Sequence, residues 1–118
     1  MSEIVDLRFS SFEGRRVAHV HGEIDLSNAD VIGRWVLDHV TNEDLGLVID
    51  LSNVDYVDSA GIAVLFDLSR RLAEHQQSLA IVVPEGAAIR RSLELGGLLG
   101  SIDTMDALEE LTPPGAGP

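Results

Sequence analysis

Ser59 stands in the run Val57-Asp58-Ser59-Ala60-Gly61, between an apolar stretch and a helical pattern, and most of the possible chemistry gathers around it. A hydroxyl at the start of a helix lies where unpaired N–H groups meet the positive end of the helix dipole, so an anion on it is tolerated despite the neighbouring Asp58. The same hydroxyl invites comparison with a hydrolytic nucleophile. Asp-Ser-Ala-Gly is not the Gly-x-Ser-x-Gly elbow, however, whose glycines relieve strain at the nucleophile. A base is also missing. His75 lies on the same helix, about 24 Å further along its axis by helical rise, and His39 falls in the stripe of another helix. His19 and His21 sit on a strand with no carboxylate assignable as an orienter, and such catalysis requires nucleophile, base and orienter to converge. The two strand histidines share a face by alternation. With no third ligand nearby they read as a partly exposed strand face, and no metal site is expected.

The elements that must position Ser59 follow from the pattern around it. Leu47, Val48 and Ile49 form an apolar run with Leu51 that reads as a strand buried on both faces of a parallel sheet. Ser52-Asn53 and Asp55 supply turn chemistry, while Val54, Tyr56 and Val57 pin the segment to the core. Asp58 and Ser59 are both capping types, and Ile62, Leu65, Phe66, Ser69, Leu72 and Ala73 recur at helical spacing up to about His75-Gln76-Gln77. Upstream, Ile4, Leu7 and Phe9 mark a first strand. Ser11-Phe12-Glu13-Gly14 turns it into a second, Arg15 to Gly22. Gly22-Glu23-Ile24-Asp25-Leu26 is a loop with solvated acids, leading to a near capping box at Ser27 and Asp30. A helix with Ala29, Ile32, Trp35, Val36, His39 and Val40 on one stripe follows, with Trp35 as a core anchor. Downstream come a strand over Leu79 to Val83 ended by Pro84, and a helix over Ala87 to Leu95 stopped by Gly96-Gly97. A short strand at Leu98, Leu99 and Ile102 and a last helix opened by Asp103 and Asp106, with Met105, Leu108 and Leu111 at helical spacing, complete the pattern.

Strands alternating with helices after a hairpin imply an α/β two-layer sandwich, with a mixed, mostly parallel sheet and helices on one side, since right-handed crossovers stay on one face while strand order advances. Residues 1–112 are expected to form one domain and 113–118 a disordered tail. The absence of cysteine excludes disulfides and thiol chemistry. A formal charge of −12 opposes nucleic acid and anionic membrane and favours partners with basic patches. No apolar run is long enough to cross a bilayer, the N-terminus lacks a secretory pattern, and cytoplasm is the default compartment. With no Gly-x-x-x-x-Gly-Lys-Ser/Thr or Gly-x-Gly-x-x-Gly loop, nucleotide is not an expected ligand, and no cofactor is foreseen.

From Gly22-Glu23-Ile24-Asp25 through Val48-Ile49-Asp50-Leu51 and Val57-Asp58-Ser59-Ala60-Gly61-Ile62-Ala63-Val64-Leu65 to Asp106-Ala107-Leu108, the sequence resembles a STAS domain. In particular it resembles the stand-alone bacterial anti-sigma factor antagonists, with Ala60 and Ile62-Ala63 where those often have Ser and Leu-Gly. The resemblance implies a partner-switching protein and no enzyme. Ser59 would be phosphorylated by an anti-sigma factor that is itself a serine kinase, and a serine phosphatase would reverse the mark. The unphosphorylated form would bind the anti-sigma factor and free the sigma factor. Glu23 and Asp25 would then face the kinase, Asp58 would help present the hydroxyl, and the small residues Ala60, Gly61 and Ala63 would let the partner approach. A monomer or weak dimer is expected. The alternative is a non-phosphorylated STAS adaptor subunit of a bacterial lipid-transport ATPase. The chain is short for the appended domain of a transporter.

Overall fold

A computed structural model describes residues 5–110. Two antiparallel strands open it, β1 (Val5–Phe12) and β2 (Arg15–Ile24), joined at Glu13-Gly14, where both residues have positive φ (52° and 82°). Two successive left-handed residues are what a two-residue hairpin turn requires, and they match the twist of the strands. There follow α1 (Ala29–Asp38), β3 (Gly46–Val57), α2 (Ser59–Ala73), β4 (Ser78–Val82), α3 (Arg90–Leu95), β5 (Asp103–Met105) and a 3₁₀ turn at Leu108–Glu110. The sheet order is β1-β2-β3-β4-β5, parallel from β2 onward. Because the order advances without reversal, the three helical crossovers stay on one face. One core cluster accordingly joins Ile32 and Val36 of α1, Leu65, Leu68 and Leu72 of α2 and Leu93 of α3 to Ala18, Val20, Ile49 and Ile81 of the sheet. The mixed α/β two-layer arrangement is therefore as the sequence implied.

The opposite face carries a second, smaller cluster of Val17, Val48, Ala80 and Val82, with Phe12, Met105 and Leu108 packed against it. β3 is thus apolar on both sides, which explains its unbroken run over Leu47, Val48 and Ile49.

Several local expectations are corrected. Ser52-Asn53 and Asp55 do not end the strand. β3 continues to Val57 and absorbs the extra residues as two bulges, where Asp50 to Asn53 opposes His19 to His21 and Val54 to Tyr56 opposes Gly22 to Glu23. Tyr56 is 51% exposed, whereas Val54 and Val57 are buried. Trp35 is also 51% exposed and is no core anchor. The buried stripe of α1 is Ala29, Ile32, Gly33 and Val36, and Trp35, a step of about 100° from Val36, falls outside it. Gly33 serves the interface instead, since a Cβ there would stand 3.0 Å from Val64 of α2. His39 stacks on Phe9 of β1 with ring centroids 3.6 Å apart.

The capping box at Ser27 and Asp30 does not form, and Asn28 is the residue preceding α1. Downstream, α2 ends at Ala73 and α3 starts only at Arg90. Leu98, Leu99 and Ile102 lie in turns, and the last strand is Asp103–Met105, where a helix was expected. Leu111 and the tail at 113–118 lie outside the described residues.

Candidate functional site

Asp58 organises the region around Ser59. Its backbone is extended, and its Oδ1 accepts from the N–H groups of Ala60 (2.9 Å) and Gly61 (3.1 Å), which caps α2. Its Oδ2 accepts from the N–H of Leu26 at 3.1 Å, and its own N–H donates to the Ile24 carbonyl at 3.2 Å. One carboxylate therefore fastens the β2–α1 loop to the start of α2. Ser59 is the first residue of the helix, exposed, and no hydrogen bond engages its hydroxyl among the described residues.

The loop is held from its other side by Asn28, the one buried polar residue of the described chain. Its side-chain amide donates to the Glu23 carbonyl (3.0 Å) and its carbonyl accepts from the Asp25 N–H (2.9 Å). Asp25 in turn accepts from the N–H (2.9 Å) and hydroxyl of Ser27. Glu23 belongs to the end of β2, opposite Tyr56, so it is a half-buried strand residue and no loop acid. Asp25, Leu26, Ser27, Tyr56 and Asp58 line an open depression at the head of α2. Leu26, 82% exposed, and Tyr56 give this surface its apolar part.

Asp25 and Asp58 line the same depression beside Ser59, whereas Glu23 is tied to the loop through its backbone carbonyl on Asn28. The three small residues divide. Ala63 is exposed and Ala60 half-buried, whereas Gly61 is buried. A Cβ at Gly61 would stand 2.6 Å from Val57 and 2.9 Å from Ile24, so this glycine lets α2 approach the sheet. Asn28, Leu26 and Tyr56 carry no pattern that marks them in the sequence; the first is found only from its paired hydrogen bonds and the others only from their exposure.

A phosphoryl group on Ser59 would meet a helix start whose Ala60 and Gly61 donors are already taken by Asp58. The helix dipole favours the anion by up to about 1 kcal/mol at an exposed site. Against it stand the full negative charge of Asp58 and, across the loop, Asp25. The added charge of about −1.5 to −2 would thus be displayed outward.

On the sheet face away from the helices, His19 has the orienting carboxylate that the sequence did not reveal. Its Nδ1 is 2.9 Å from Asp50 Oδ2 and its Nε2 is 2.9 Å from Ser10 Oγ. Asp50 also accepts on Oδ1 from the N–H (3.1 Å) and hydroxyl (2.6 Å) of Ser52. Burial pushes the Asp50 carboxyl up, but these bonds and the nearby imidazole outweigh it and hold the group below its ordinary 3.8. Among the described residues no group of three or more His, Cys, Asp or Glu is placed to hold a metal ion. No described helix is long and apolar enough to cross a membrane.

The model of the STAS domain matches residues 10–111. The anti-sigma-F factor antagonist RsfB of Mycobacterium tuberculosis is 32% identical over 95 residues, 80% of this chain and 75% of that protein. The sulfate transporter 3.2 of Arabidopsis thaliana is 31% identical over 97 residues, 73% of this chain but only 15% of the transporter. The crystal structure of an anti-sigma factor antagonist from Mycobacterium paratuberculosis superposes with a TM-score of 0.79 and 27% identity, covering 90% of this chain and 89% of that one. With the strand order, the capped α2 start and the family match in agreement, the chain belongs to the STAS domain family.

Proposed function

We propose that this protein is an anti-sigma factor antagonist controlled by phosphorylation of Ser59. The observation that carries the reading is the Ser59 hydroxyl, exposed and unengaged at the head of α2, beside a preformed surface of Leu26, Tyr56, Asp25 and Asp58. Relatives of matching length named as anti-sigma factor antagonists support it. Similarity alone does not specify this role, because a plant sulfate transporter is alike over a stretch that makes up 15% of its own length.

In this reading the unmodified protein docks on a cytoplasmic anti-sigma factor with serine kinase activity, which releases its sigma factor. Asp58 holds the serine at the helix head without consuming its hydroxyl, so the oxygen is open to a kinase-bound nucleotide. The phosphate then places charge on a face the partner must cover. Desolvating it beside Asp58 and Asp25 weakens the complex, and the fold survives because the modified oxygen makes no internal bond. A serine phosphatase restores the binding form.

The first test is phosphopeptide mass spectrometry on protein from its native cells, covering Tyr56 to Arg70, with and without stress. Occupancy on Ser59 that falls on stimulation is the expected result. A well-observed peptide that is never modified would overturn the phosphorylation step and leave a constitutive binding role. Affinity provides the second test. Ser59→Asp is expected to bind the anti-sigma factor at least about tenfold more weakly than Ser59→Ala, a difference of about 1.4 kcal/mol.

A further inference from the structure

Ser10, His19 and Asp50 lie on three adjacent strands. Arg8 pairs with His19 and Ser10 with Val17 across the β1–β2 hairpin, which makes Ser10 a diagonal neighbour of His19 on one face. His19 pairs directly with Asp50 across the parallel β2–β3 ladder. The result is a chain of two 2.9 Å contacts, serine oxygen to imidazole to carboxylate.

The chemistry of the partners fixes the direction of the protons. Asp50 accepts on both oxygens, so in its neutral form His19 carries its hydrogen on Nδ1 and donates it to Asp50. Nε2 is then left with its lone pair, and the Ser10 hydroxyl must be the donor. The carboxylate cannot turn away, because its other oxygen is held twice by Ser52. A serine whose proton points at an oriented, neutral imidazole is the arrangement that activates a nucleophile. Ser10 is exposed, so its hydroxyl is open to a reagent from solvent, while His19 also lines a neighbouring hollow of about 260 Å³ with Asp6, Arg8, Val20, His21 and Asn53.

We propose that Ser10 is a covalent acceptor site, taking up a short acyl group from an activated ester or thioester with His19 as general base. The Ser10 oxygen forms a bond to the acyl carbon as its proton passes to His19 Nε2. The carbon's bond to the leaving oxygen or sulfur breaks, and the leaving group takes that proton from the imidazole. Nothing is oxidised or reduced. The site is separate from Ser59, lying on the sheet face opposite α2, and it does not depend on the partner-switching role.

The sequence makes the test unusually clean, since the chain contains no cysteine and no lysine. The full chain would be incubated with p-nitrophenyl acetate, and acetylation mapped on the peptide from Phe9 to Arg15. That peptide also contains Ser11, an exposed serine without an imidazole partner, which serves as an internal reference. The expected result is acetyl on Ser10 well ahead of Ser11, abolished in Ser10→Ala and slowed by about 100-fold or more in His19→Gln. Asp50→Asn should slow it as well, with circular dichroism verifying that each variant is folded. Equal labelling of Ser10 and Ser11, an unchanged rate in folded His19→Gln, or acetyl found on His19 itself and indifferent to Ser10→Ala would each overturn the proposal.

Discussion

At the scale of single residues, Asp58 does more than its neighbour Ser59 for the integrity of the molecule. It caps α2 and tethers Leu26, so Asp58→Ala is expected to cost about 1–2 kcal/mol in urea denaturation, whereas Ser59→Ala should stay within about 0.5 kcal/mol. Equal effects of the two would show that Asp58 is no cap. Asp50 gives a second prediction, through pH. Its carboxyl titrates lower in the folded protein than its ordinary 3.8, so the stability it supplies is complete above that value and is lost as pH falls through the folded pKa. The stability gap between the wild type and Asp50→Asn should therefore narrow as the pH is lowered below 3.8. A gap that is constant with pH would show that the carboxylate gains nothing from Ser52 and His19. Ser59 and Asp58 were legible in the sequence because their meaning is local: two capping residues between a strand and a helix. The Ser10–His19–Asp50 chain was not, because it depends on the register of two strand pairs and no spacing along the chain encodes it.

At the scale of elements, α2 and the β2–α1 loop form the unit on which the proposed docking rests, and a glycine and an asparagine hold it. Gly61→Ala improves intrinsic helix propensity by about 1 kcal/mol, but the new methyl would meet Val57 and Ile24 at under 3 Å. Overpacking of that kind costs about 1–3 kcal/mol, and a net loss of stability is expected; a thermal melt showing stabilisation would mean that α2 shifts freely. Asn28→Ala removes both bonds to the loop backbone and leaves the Asp25 N–H and the Glu23 carbonyl without their partner. A loss of about 1–3 kcal/mol is expected, with weaker binding of the proposed anti-sigma factor partner even though Asn28 is buried. Retained affinity in that variant would show that the loop plays no part in docking. Helices are readable as elements, but their inward faces are only partly so: Ala29, Ile32, Val36, Leu65 and Leu72 are buried as their spacing implies, and Trp35 is not. The size and spacing of Trp35 point to the core, whereas the close α1–α2 contact is made through Gly33, and a glycine gives no apolar signal.

At the scale of the whole molecule, the alternation of strands and helices was enough to give the layered architecture, because crossover handedness leaves few options once the strand order advances. The ends of the elements were less readable. Bulges let β3 run on through residues that look like a turn, and the three residues of β5 are too few to show a period. The overall charge of −12 adds a collective effect. Repulsion among exposed carboxylates is screened as the Debye length shrinks from about 30 Å at 0.01 M salt to about 8 Å at 0.15 M. The urea midpoint should therefore rise with added sodium chloride over that range, and a midpoint that falls would mean that attractive pairs such as those of Asp67 with Arg70 and Arg71 dominate instead. The double grip of Asp58 on loop and helix also has a kinetic consequence. A partner binding at the proposed face would meet a surface that is already assembled, so association should proceed in one step at the rate that orientation alone permits, about 10⁵–10⁷ M⁻¹s⁻¹, with no slower phase for ordering the loop.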